Sequence, residues 1–457
     1  MTVSLALVIV VVATALVFDF TNGFHDSANA MATSVATGAF SPKIAVLVAA
    51  VLNFIGASMS TEVAKTISHG IVDDTLVTTE AVFAGLAAAI IWNLITWLAG
   101  LPSSSSHAIF GGLIGAVVVA SGLAGVHPGV IVSKILLPAL VAPLVAGFAS
   151  MLATRAAYRI TDHTAKHSAN VFRQGQRISA SMVALAHGTS DGQKTMGIIT
   201  LVLVTGKLQE PGTGPKEWVI IAAALAIALG TYSGGWRIMR TMGKRLVDIQ
   251  PPQGFAAETS AATAILASAH LGFGLSTTHV CSGAIIGSGV GGQVRVNWAV
   301  ARQMLYAWLL TLPAAALIGA LASWLAHRAG TYGFVIDLVL LAAVTGVILV
   351  LANRNKVSHH NVNDVEGEAE ASTGRLAAIG PGPGRPVLVL DSISWTSARD
   401  QVSLSVGLTA QSGLAPYENA PDQAGAPHVL SVADVDTEDE ADAVTDTSIH
   451  HTLRDWG

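Results

Sequence analysis

The stretch TNGFHDSANAMAT, Thr21 to Thr33, governs how the rest of the chain is read. An uncharged apolar run, MTVSLALVIVVVATALVF, leads into it, and another apolar run begins soon after. Asn22, His25, Asp26 and Asn29 are therefore expected at membrane depth, among glycine and small residues. Such groups are costly in lipid unless they face a cavity or a partner. A second stretch, LAHGTSDGQKTMGIIT from Leu185 to Thr200, has the same character. Aligned on the aspartates, GFHDSANAM lies over GTSDGQKTM. A polar, glycine-bearing break that recurs in each half of a hydrophobic chain points to the binding site of a secondary transporter.

Composition agrees. Of 457 residues, 52% are hydrophobic and only 12% charged, which suits a polytopic membrane protein and excludes an ordinary soluble enzyme. Cys281 is the only cysteine, so no internal disulfide forms. The net charge of -5 is unevenly spread. From Arg354 onward there are 16 Asp+Glu against 6 Lys+Arg, whereas the preceding residues hold 13 against 18. No basic patch with interleaved aromatics is present, so no nucleic-acid partner is expected. No Lys or Arg precedes the first apolar run, which therefore lacks a signal peptide's charged start and reads as a retained first helix.

A spanning helix needs about 20 mostly apolar residues. Residues 1–18, 42–59, 80–100, 108–125, 130–154, 217–232, 298–326 and 333–352 supply such runs, and 178–206 carries the second polar break. Basic loops at 155–177 and around Arg237 to Arg245 are expected on the cytoplasmic side. A second internal match is sharper than the first: LPSSSSHAIFGGLIG (101–115) lies over GLSTTHVCSGAIIG (274–287). Order is kept too, with Asp26 preceding His107 by 81 residues and Asp191 preceding His279 by 88. The expected fold is an all-α polytopic membrane protein built of two homologous helical repeats. They are expected to be inverted, with broken helices or helical hairpins at the midplane. The expected divisions are a first repeat over 1–154, a basic linker over 155–177, a second repeat over 178–352, and an acidic tail over 353–457. The tail, with GPGPGRP and DVDTEDEAD, reads as mostly disordered, although VLVLDSISWTSARDQVSLSV suits a short ordered patch.

Each hydroxyl run sits just before an apolar helix or half-helix. Ser and Thr cap helix starts, whose free N–H groups and dipole ends favour an anion. Two such starts, one from each half, would make a site for a small oxyanion. Ser103, Ser104, Ser105, Ser106, Ser276, Thr277 and Thr278 can donate to it, with Asn29, Gln193 and Lys194 completing the candidate substrate set. Asp26 and Asp191 repel an anion and make sense as groups that hold a coupling cation or proton. Glu258, Glu62, His25, His107 and His279 join them as candidates. Plainer readings stand beside these. Lys194 can simply pair with Asp191, His107 and His279 can be helix-packing residues, and Glu62 can be a solvated loop residue. No catalytic residue, bound metal or cofactor is expected.

At NGFHDSANAMAT, AHGTSDGQKTMG, LPSSSSHAIFGGLIGA, LSTTHVCSGAIIG and GFAAETSAA the chain resembles the inorganic phosphate transporter (Pit) family, over about residues 1–352. The resemblance implies a symporter for inorganic phosphate with duplicated helical halves, multi-pass in the cell membrane of a bacterium. In the wider family both aspartate motifs usually read Gly-Ala-Asn-Asp. GFHD, the SSSSH run and DGQK resemble instead the bacterial, proton-coupled, low-affinity branch, which implies phosphate taken up with protons, free or as a metal-phosphate complex. His25 and Ser190 stand where the asparagines would be. Sodium-coupled phosphate symport and a sulfate permease are the nearest alternatives. An anion channel, a membrane hydrolase and a sensor are the rival classes. Association as a homodimer stays open.

Overall fold

The computed structural model describes residues 5–363 except 71, 74–75, 162–164, 273 and 355–356, and beyond them 376–377, 387–398 and 401–411. The chain divides into two compact units, Met1–Glu366 and Gly367–Gly457.

The first unit is helical. Its elements are α1 (Leu5–Ala36), α2 (Pro42–Ala57), α3 (Glu62–Gly70), α4 (Thr79–Leu98) and α5 (Ser105–Ser121). A short α6 (Pro128–Val130) runs through a π-helical stretch into α7 (Leu137–Thr161). Then come α8 (Ala165–Thr205), α9 (Glu217–Ser233), α10 (Trp236–Arg240), α11 (Pro251–His270), α12 (Thr277–Gly291), α13 (Trp298–Ala329) and α14 (Gly333–Arg354). Among the described residues, five helical stretches are long and apolar enough to cross a membrane: Leu5–Ala36, Thr79–Leu98, Pro128–Ile160, Trp298–Ala329 and Gly333–Arg354. The pair Glu217–Ser233 and Trp236–Arg245, bent by 59°, adds a sixth if taken as one span. α2 and α5 are apolar but shorter. This unit is an all-α polytopic membrane structure.

The helices differ from the expected pattern at the aspartate motifs. Neither motif breaks its helix: α1 runs unbroken through Thr21–Thr33, and α8 through Leu185–Thr200. No proline lies in either motif, and their glycines serve packing instead. A Cβ on Gly23 would clash with the Ile227 carbonyl of α9, and one on Gly230 with the Phe20 carbonyl of α1. The same contact recurs between α2 and α8, where Gly188 meets Asn53 and Gly56 meets the Leu185 carbonyl. Gly23 and Gly188 each precede their aspartate by three residues, and Phe20 and Leu185 by six. The chain breaks instead between α4 and α5 and between α11 and α12, at the two hydroxyl runs. Ser104 caps α5 by accepting from the His107 N–H, and Ser276 caps α12 by accepting from the His279 N–H.

Behind these starts, α5 packs on α13 through Gly111 and Gly115, which meet the Leu312 and Ala316 carbonyls. α12 packs on α7 through Gly283 and Gly287, which meet the Pro143 and Gly147 carbonyls. The 155–177 segment is helical at both ends, since α7 reaches Thr161 and α8 begins at Ala165. Both basic segments gather at the C-terminal end of α1. Arg173 donates to the Thr37 carbonyl, Arg177 to that of Ala39 and Lys244 to that of Ala36.

Residues 357–363 pack against the helices. Asn361 accepts from Arg240 at 2.6 Å, and Val362 is buried. In the second unit β1 (Leu376–Ala377), β2 (Val387–Ala398) and β3 (Gln401–Gln411) form an antiparallel sheet in that order, which covers the patch expected to be ordered. Most of the remaining tail, read as disordered, lies outside the described residues.

Candidate functional site

α1 brings Asp26 and α8 brings Asp191 to one buried place, where both hydroxyl-capped helix starts also arrive. Ser105 donates to Asp26 Oδ2 at 2.7 Å, and Thr277 donates to Asp191 Oδ2 at 3.4 Å. These are matching positions: each hydroxyl lies two residues before its histidine. The next hydroxyls cross to the opposite half. Asn29, three residues after Asp26, donates to Thr278 at 3.0 Å. Lys194, three residues after Asp191, donates to Ser106. Thr278 also reaches Asp26 Oδ1 at 3.3 Å. Both aspartates, Asn29, Lys194 and all four hydroxyls are buried.

Electrostatics differ between the two aspartates. Lys194 Nζ lies 2.6 Å from Asp191 Oδ1, so the plain pairing of the two is present. The same ammonium also donates to the Leu275 carbonyl at 3.1 Å. Asp26 has no lysine. His25 Nδ1 sits 2.7 Å from its Oδ1, and His25 Nε2 is 3.3 Å from both Thr96 and Ser103. His187 Nε2 stands between the aspartates, 3.8 Å from Asp26 and 3.5 Å from Asp191. One ligand atom from each of Asp26, His187 and Asp191 lies within 4.8 Å of the others, the arrangement here best suited to a cation. His187 is anchored from behind through Asn53 Oδ1 at 3.1 Å.

The other candidates fall elsewhere. Glu258 on α11 lies beyond Asn29 and accepts from Thr33 at 2.5 Å, Gln176 at 3.0 Å and Ser179 at 2.6 Å. Ser103 bonds Thr96 at 2.8 Å, and Ser104 and Ser276 serve as caps. Gln193 turns away and accepts from the Val63 N–H at 2.7 Å, at the start of α3. Glu62 is exposed and pairs with Lys65 at 2.8 Å. The rings of His107 and His279 face each other, 4.8 Å between centroids, and His279 also meets Trp308. Neither makes a hydrogen bond to an aspartate among the described residues, and His279 Nδ1 lies 3.4 Å from the Ala139 carbonyl.

Sequence reasoning missed His187, Thr96, Asn53, Gln176 and Ser179. Only His187 carried a local signal: it stands four residues before Asp191, on the same helix face. Thr96 and Asn53 come from α4 and α2, and Gln176 and Ser179, about four and about three turns before Asp191 on α8, reach Glu258 on α11.

The profile of the phosphate transporter family (PHO4) matches residues 22–319. A probable low-affinity inorganic phosphate transporter of Mycobacterium leprae is 52% identical over 370 residues, 80% of this chain and 89% of that one. Its counterpart in Bacillus subtilis is 43% identical over 329 residues, 70% of this chain and 98% of that one. Among solved structures, the sodium-dependent phosphate transporter superposes with a TM-score of 0.63 at 25% identity, covering 70% of this chain and 98% of its own.

Proposed function

The chain belongs to the phosphate transporter family, a multi-pass cell-membrane transporter and not an enzyme, and from that premise we propose that it takes up inorganic phosphate by symport with protons. One observation carries the reading: two serine-capped helix starts with matched hydroxyls converge on two buried aspartates. Helix N-termini and hydroxyls favour a tetrahedral oxyanion. The aspartates and Lys194 are the charges whose balance a co-transported cation changes. Reciprocal packing supports duplication: α1 lies on α9 as α8 lies on α2, and α5 on α13 as α12 on α7. We read these as two inverted repeats closing on one substrate site.

In this reading Ser105, Thr277 and Thr278 swing their hydroxyls from carboxylate to substrate when phosphate enters, and Ser106 swings its hydroxyl from the Leu275 carbonyl. Asn29 and Lys194 then hold its remaining oxygens. The Asp26–His187–Asp191 cluster gives a metal-phosphate complex a place for its cation, which is why such a complex is included as substrate. Radiolabelled phosphate uptake into proteoliposomes tests the whole. A proton gradient should drive accumulation, arsenate should compete and sulfate should not. Uptake that ignores the proton gradient and follows sodium at fixed pH would replace protons with sodium as the coupling ion, and equal competition by sulfate would remove the phosphate reading.

A further inference from the structure

The site's carboxylates have donors. Asp26 accepts from Ser105 and Thr278, Asp191 from Lys194 and Thr277, and Glu258 from Thr33, Gln176 and Ser179. Asp19 is the contrast. It lies on α1 two turns before Asp26, is 0% exposed, and neither of its oxygens has a hydrogen-bond partner among the described residues. The groups that face it are Asn22 on α1 and Thr195, Asp191 and Lys194 on α8. Asn22 and Thr195 stop short of bond geometry: both Asn22 side-chain atoms and the Thr195 hydroxyl are also unpartnered.

Lys194 makes no hydrogen bond to Asp19. An ammonium has three N–H donors, and this one already serves Asp191, Ser106 and the Leu275 carbonyl. An ionised carboxylate buried with no cation and no donor is strongly disfavoured. Asp19 is therefore stable there as the neutral acid, with an O–H that Asn22 Oδ1 or Thr195 can accept.

We propose that Asp19 carries the coupling proton. This rests on the symport reading above and adds where the proton binds. One bond is involved: a proton from water adds to an Asp19 oxygen on one side of the membrane and returns to water on the other. Seven residues along a helix place Asp19 about 10 Å from Asp26. It lies further than Asp26 from the basic end of α1, which the positive-inside rule assigns to the cytoplasm. The coupling has a sign. Ionised, Asp19 puts one more negative charge beside a site that must take an anion. Protonated, it leaves Asp191 and Lys194 balanced. Phosphate thus favours the protonated form, and by reciprocity the proton favours phosphate.

The test uses the full-length protein in proteoliposomes. Asp19→Asn fixes a neutral group of the same shape. It should keep phosphate–phosphate exchange without a gradient within about threefold of wild type, yet lose gradient-driven accumulation by about tenfold or more. Asp19→Glu should restore accumulation. The apparent phosphate affinity in exchange should weaken with rising pH in wild type and stay flat in Asp19→Asn. An Asp19→Asn protein that accumulates like wild type overturns the assignment. So does one that melts normally but loses exchange and accumulation alike. If Asp19→Asn does not fold, infrared difference spectra of wild type and Asp19→Glu decide: a phosphate-induced protonated-carboxyl band that moves with the substitution supports it, and an unmoved band overturns it. Wild type that ignores the proton gradient overturns the symport reading and this assignment with it, whereas proton-driven uptake unaffected by Asp19→Asn overturns the assignment alone.

Discussion

Asp26 and Asp191 occupy matching positions but have different partners. His25 lies against the first, Lys194 is bonded to the second, and His187 stands between them. Both were legible in the sequence, because a charge inside an apolar run is conspicuous and the repeat doubled the signal. Their partners were not, apart from His25 and Lys194 nearby in the chain. If both pairs act on one substrate, matched lesions should have matched kinetics. Asp26→Asn and Asp191→Asn should each nearly abolish accumulation, since an amide removes the buried negative charge against which His187, Lys194 and the substrate are balanced. Ser105→Ala and Thr277→Ala should instead raise the apparent KM. Each loses a hydrogen bond to a charged partner, roughly 1.5–3 kcal/mol, or about tenfold to hundredfold in affinity. Uptake kinetics of the four variants check this. Silent lesions in one half alone would mean that half does not touch substrate.

Between helices, the glycines of GGLIG and SGAIIG do one thing in both halves: they let a backbone carbonyl of the neighbour come close. The sequence showed the glycines repeating but not what they touched, because a small residue in a helix is equally consistent with a kink, a close crossing or an open surface. A methyl at Gly115 would meet the Ala316 carbonyl, and one at Gly287 the Gly147 carbonyl. Gly115→Ala and Gly287→Ala should each lower the melting temperature in detergent, with an overpacking cost of about 1–3 kcal/mol. Gly346 on α14 has open space around it, so Gly346→Ala should leave melting unchanged or raise it slightly. Equal melting of all three variants would show that these crossings are looser than their geometry.

On the scale of the molecule, the helical unit extends past the last spanning helix. Placing the acidic tail from residue 353 rested on composition, and composition does not register the short stretch that docks afterwards. Ser358 to Val362 fold back through Asn361 on Arg240 and buried Val362. Truncation after Glu366 should therefore keep wild-type melting and phosphate uptake, whereas truncation after Ala352 should melt earlier through loss of those contacts. Thermal unfolding and uptake of the two truncations check this. Equal melting would return the boundary to Ala352.

The sequence by itself determined the membrane class, the doubling of both motifs and the residues that carry charge into the apolar interior. Those follow from local hydropathy and from comparing the chain with itself. Only the tertiary structure decided that α1 and α8 run straight through their motifs, that Asn29 reaches Thr278 while Lys194 reaches Ser106, and that Asp19 has no donor. Each of those outcomes depends on which helices lie side by side, and the partners are separated by dozens to hundreds of residues. Propensity and periodicity act over a turn or two of helix and carry no record of such neighbours.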